Sequence, residues 1–201
     1  VTIIGSIAQA APGEPVTGCF TGKTNNDIPV AGLLTLHPMT VSLCLHEDGS
    51  LTIDLSGGVT VFGKTYNDLS ARLELIGAAP TGAGAGGGAG AWNWRLKVNL
   101  PSFELGGFAL EGGKLTIEQG GKFIAIEALF SVDIAGQTLA LAVNGQWSAN
   151  GDFSFSLALQ DGATWQPIPA FEGLVFTTLS GSFARTAGVV SITATAVAAT
   201  S

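Results

Sequence analysis

The residues of this chain that could do chemistry are few and widely spaced. Cys19 and Cys44 stand 25 positions apart in strand-like surroundings. Two thiols so placed suit a disulfide stapling neighbouring strands, and hence an oxidising compartment. Such a staple contributes roughly 3 kcal/mol by restricting the unfolded chain. No Cys-x-x-Cys is present, which argues against thiol catalysis. His37 and His46 are the only histidines. With Glu47 and Asp48 they could offer nitrogen and oxygen ligands to a metal, and Asp27 could add oxygens for calcium. Their spacing matches no metal motif, so they read as surface histidines beside a polar hairpin, and no metal is expected.

Gly82, Gly84 and Gly87 spell G-x-G-x-x-G. That fingerprint cradles a pyrophosphate only between a strand and a helix, and here the strand-like run Trp92–Leu100 follows instead. No nucleotide or other cofactor is expected. Glu104, Glu111, Glu118 and Glu127 punctuate strands near aromatics and could pair as the acid and base of a glycosidase. The simpler reading is a solvated strand face. There is no Gly-x-Ser-x-Gly elbow. The four tryptophans, Trp92, Trp94, Trp147 and Trp165, could stack on sugar rings or line a pocket, but Trp92 and Trp94 share a face with Leu96 and Val98, which reads as core. Trp165 lies in a loop between Gly162 and Pro169 and is the one weak binding candidate. Together these features predict a protein that is not an enzyme.

The elements that hold these residues are legible from a two-residue period. Trp92, Trp94, Leu96, Val98 and Leu100 interleave with Asn93, Arg95, Lys97 and Asn99. Phe153, Phe155, Leu157 and Leu159 do the same with Ser154, Ser156 and Ala158. Successive side chains of a strand point to opposite faces, so each run has one dry and one wet face. Ile124, Ile126, Ala128, Phe130, Val132 and Ile134 extend one dry face over eleven positions. Turn signals punctuate the runs: Asp48-Gly49, Gly57-Gly58, Gly120-Gly121, Gly136, Asn144-Gly145 (a turn or a bulge) and Asn150-Gly151. Strands are expected near 17–23, 31–36, 39–46, 171–178, 179–186 and 188–198, among others.

No run has a helical period, and the short connections require antiparallel neighbours. The predicted fold is all-β, an antiparallel meander of roughly a dozen or more strands, closed as a barrel or flattened as a sandwich. Residues 1–18 are expected to form an arm or an irregular first strand. Residues 19–201 are expected to form a single all-β domain, with a flexible Gly/Ala-rich loop at 77–91.

Composition narrows the partners. The 201 residues carry 8 Lys and Arg against 15 Asp and Glu, for a net charge of −7. The basic residues are scattered, whereas nucleic acid and anionic membrane surfaces demand a clustered basic patch, so neither is an expected partner. Only 11% of residues are charged and the mean hydropathy is +0.43. So much apolar surface needs a core, a cavity or another subunit. The leading expectation is a structural or protein-interaction module of a secreted or cell-surface protein, associating with other subunits or copies of itself. The alternative is an apolar-ligand or lipid-binding barrel or groove.

Overall fold

The computed structural model describes residues 3–9, 16–47, 51–76, 93–105, 108–134, 136–160, 163–166 and 173–199. Among them there is no helix. Thirteen strands form one antiparallel sheet: β1 (Ile3–Gln9), β2 (Val16–Lys23), β3 (Ile28–Val30), β4 (Leu34–Leu45), β5 (Leu51–Val61), β6 (Lys64–Ile76), β7 (Asn93–Leu105), β8 (Phe108–Glu118), β9 (Phe123–Ile134), β10 (Gln137–Ser148), β11 (Phe153–Leu159), β12 (Val175–Thr186) and β13 (Val189–Ala199). Their spatial order follows the chain from β1 to β13, with β3 set aside to pair only with β4. The order is open, ending on β1 and β13, so of the two expected forms the closed barrel is not the one adopted. The Gly/Ala segment 77–91 and the Asp48-Gly49 turn lie outside the described residues.

The chain gathers into two compact units. One comprises Val1–Asn99 with Thr116–Gly121, the other Leu100–Leu115 with Lys122–Ser201. In the first, Leu34, Leu36, Leu55, Val59, Val61, Leu69, Leu96 and Val98 are buried. In the second, Leu115, Ile124, Ile126, Leu139, Val143, Phe153 and Phe155 are buried. These residues recur at every second position of their strands, as the alternation requires.

Four expectations about breaks are corrected. Gly57-Gly58 is not a turn: β5 runs through it. A Cβ on Gly57 would lie 2.6 Å from the Cβ of Met39, so the glycine permits a close approach of β4. There β4 carries one extra residue at His37-Pro38, between the pairs Leu36↔Val59 and Met39↔Gly57. That bulge accommodates the proline and joins the two strands expected at 31–36 and 39–46 into one. Asn144-Gly145 is likewise neither turn nor bulge, because β10 pairs without a shift on both sides. Gly145 is opposite Phe155, whose ring occupies the space a side chain would need. The strands expected at 171–178 and 179–186 are replaced by the single strand β12 over the described residues. A register shift between Phe176 and Thr178 interrupts its pattern without ending it.

The Asn150-Gly151 hairpin forms as expected. Gly151 takes φ +85°, its N–H donates to the Ser148 carbonyl at 3.0 Å, and the Asp152 N–H donates to the Asn150 side chain at 3.1 Å. Cys19 and Cys44 face each other directly across β2 and β4, with Cα atoms 4.2 Å apart, and are joined as a disulfide.

Candidate functional site

The dry face of the second unit is built from rows that cross its strands. Ile126, Gly145, Phe155, Phe183 and Ile192 form one row from β9 to β13 through successive register partners. Ala128, Val143, Leu157, Gly181 and Ala194 form the next. The side chains of the first row are buried at β9 and β11 and exposed at β13. Ile126 is 1% exposed and Phe155 4%, Phe183 is half-buried, and Ile192 is 72% exposed. The face is as apolar at β13 as at β9, but its cover runs out.

Where the cover runs out there is a cavity of about 290 Å³. Its depth comes from the second row: Gly181 has no side chain, and Ala194 opposite it has one methyl group. Larger residues wall this low point. Phe155, Phe183 and Ile192 stand on one side and Leu179 on the other, and Leu105 and Leu110 also line the space. Among the described residues, no ionisable side chain lines it. Beside it aromatic rings pack together, Trp147 stacked on Phe153 and the phenylalanines tilted against one another. Phe153 lies 5.4 Å from Trp147, 5.6 Å from Phe155 and 4.7 Å from Phe183, centroid to centroid. Such a group holds its geometry through ring–ring contact as well as through burial.

The residues singled out from sequence lie elsewhere. Trp165 makes a two-hydrogen-bond bridge to Phe176, at 3.0 and 2.8 Å, and stacks on its ring at 5.7 Å. Trp165 does not line the cavity. His37 places Nδ1 3.0 Å from Asp27 and Nε2 2.5 Å from the Thr60 hydroxyl, while His46 Nε2 is 2.9 Å from the Thr52 hydroxyl. The histidines serve local strand contacts, and no metal-ligating cluster occurs among the described residues.

Nor do the four glutamates meet over the cavity. Glu118 accepts from the Arg95 guanidinium at 2.6 Å, Glu127 from Lys114 at 3.2 Å, and Glu111 is exposed. Glu118 closes a charged ladder on the wet face of the first unit. Asp54 pairs with Arg72 at 2.8 Å, and Glu74 with Lys97 at 2.6 Å and with Arg95 at 3.9 Å. The hydrogen bond to Asp54, helped by that carboxylate's charge, raises the Arg72 pKa above its ordinary value. Exposed pairs of this kind repay little, because water already screens them. Arg95→Met is expected to cost under about 1 kcal/mol in chemical denaturation. A larger loss would mean the ladder acts as a cooperative network.

The signal that could have found the cavity was present but dispersed. Gly181 reads as one more small residue among Leu179, Ser180 and Ser182, and Ala194 as one alanine among several. Only the register that opposes them makes a hollow. No protein-family description, curated protein or solved structure matches this chain.

Proposed function

We propose that the chain is a non-enzymatic β-module that binds an uncharged aliphatic ligand, such as an acyl chain, in the open groove of its second unit. The observation that carries this reading is the cavity at the uncovered end of the dry face, lined mainly by aliphatic and aromatic side chains and by no ionisable one among the described residues. Its volume is near the lower end of the range for small-molecule sites, roughly 300–1,000 Å³. An aliphatic chain laid there shields side chains that now face water, at roughly 25 cal/mol for each Å² removed from solvent. A charged ligand finds no lining partner. The disulfide is compatible with an oxidising compartment, which supports a secreted or surface location. The interaction-module reading has separate support in the edge of β13, which pairs with no strand beyond β12 among the described residues.

The test is titration with an apolar dye that fluoresces on leaving water, followed by displacement with medium-chain alcohols. Leu157→Asp puts a carboxylate on the half-buried groove floor and is expected to weaken dye binding at least tenfold. Ser154→Asp adds the same charge to the exposed opposite face of the same strand and is expected to leave binding unchanged. Equal binding by both variants would remove the groove as the site.

A further inference from the structure

The edge of β13 lacks the devices that keep sheet edges apart. Its eleven residues, VVSITATAVAA, contain no charge and no proline, and Val189, Val190, Ile192 and Val197 are 53–72% exposed. Natural edges are usually short, bulged or guarded by lysine, because unpaired N–H and C=O groups template another strand. The inventory of open groups follows from the hairpin. Ala187 and Gly188, both at positive φ, form a two-residue turn closed by the pair Thr186↔Val189. A closing pair of this type exchanges hydrogen bonds, and alternate residues beyond it point the other way. Val190, Ile192, Ala194 and Ala196 therefore present their backbone groups to the open side.

We infer that two copies of this chain pair through β13, antiparallel, about a two-fold axis at Ala194. Ala194 is the central residue of the strand, so this register uses its full length. It keeps the dry faces of both copies on one side, because opposed residues share parity. It also sets large against small: Ile192 of each copy opposes Ala196 of the other. Ala194 meets its own symmetry mate, and these pairs are all of the outward-pointing, bond-exchanging kind, giving at least about six hydrogen bonds. The chain's charge of −7 opposes association, but none of it lies on this strand. Self-complementarity of this sort is what a closed, isologous interface requires.

The pairing stands on the edge strand alone. Its consequence rests on the groove reading: the row Val143, Leu157, Gly181, Ala194 continues through the axis into the second copy, and two apolar grooves become one.

The experiment is sedimentation equilibrium of the full chain, with two variants. Ala194→Cys brings like residues together at about 5.5 Å between Cα atoms, inside the range a disulfide spans. Mild oxidation is expected to convert it to a covalent dimer, whereas Ala198→Cys, which opposes Val190 instead of itself, stays uncross-linked. Ala196→Pro removes an N–H that faces away from β12, so the monomer fold is retained by circular dichroism. The dimer dissociation constant is expected to rise about 100-fold. A wild-type chain monomeric at high concentration would overturn the inference, as would association unaffected by Ala196→Pro. An open-ended ladder of species would overturn it in favour of β13 pairing with β1 of the next copy. Dye binding that persists in monomeric Ala196→Pro would leave the groove reading intact, so the two ideas fail separately.

Discussion

Phe155→Ala lowers the stability of the protein by about 3–5 kcal/mol, the cost of emptying a buried aromatic site that cannot collapse. Phe155 is 4% exposed, and its ring fills the place of the absent side chain at Gly145. Removing it leaves a void over a glycine, where neither strand has atoms to move in. It also breaks the ring contact at 5.6 Å to Phe153, through which Trp147 and Phe183 are held. Urea denaturation followed by far-ultraviolet circular dichroism measures the loss. Phe155→Leu, which retains most of the volume, is expected to lose less than half as much. If alanine costs under about 1.5 kcal/mol, the aromatic group is not the organising centre of this unit. Because Phe155 also walls the cavity, its removal is expected to loosen binding of the proposed aliphatic ligand in whatever fraction remains folded.

Removing the disulfide is expected to cost about 3 kcal/mol, by a different route. Cys19 is exposed and Cys44 half-buried, so Cys19→Ala with Cys44→Ala empties little core. The stability lost is the freedom regained by an unfolded chain no longer closed across 25 positions. Since Cys19 is exposed, reductant applied to the native protein is expected to reproduce the shift of the double variant in the urea midpoint. If reduction shifts the midpoint and the double alanine variant does not, local packing of the sulfurs matters more than the closed loop. The Phe155 effect belongs to the folded state of the second unit, whereas the disulfide effect belongs to the unfolded state of the first.

Both predictions concern features that were unequally visible in the sequence. The two cysteines could be read directly, because an even pair in strand-like surroundings has few other uses. The role of Phe155 could be read only in part. Its place on a dry face follows from alternation with Ser154 and Ser156, but its partner Gly145 reads in sequence as a turn or bulge signal. Asn-Gly does mark hairpins when the chain needs positive φ, as Asn150-Gly151 does here. At Gly145 the glycine answers a different need, room for a ring from the next strand. Gly57 repeats this ambiguity, with the Met39 backbone in place of a ring. A glycine's neighbours in sequence do not reveal which need it meets, because the clashing atom comes from another strand. The bulges at His37-Pro38 and before Thr178 were hidden for the same reason, since an extra residue is defined only against a partner.

What the sequence determined by itself was parity and chemical poverty. The two-residue period specified which side chains share a face, because that follows from strand geometry without reference to neighbours. The scarcity of charge, histidine and cysteine limited the chemistry available. What only the tertiary structure decided was where the dry face stays bare. Register sets Gly181 against Ala194 and lines up Ile126, Phe155, Phe183 and Ile192 in a row whose burial fades toward β13. A hollow and an open edge are properties of such rows. They arise from pairings between residues far apart in the chain, and no local pattern encodes them.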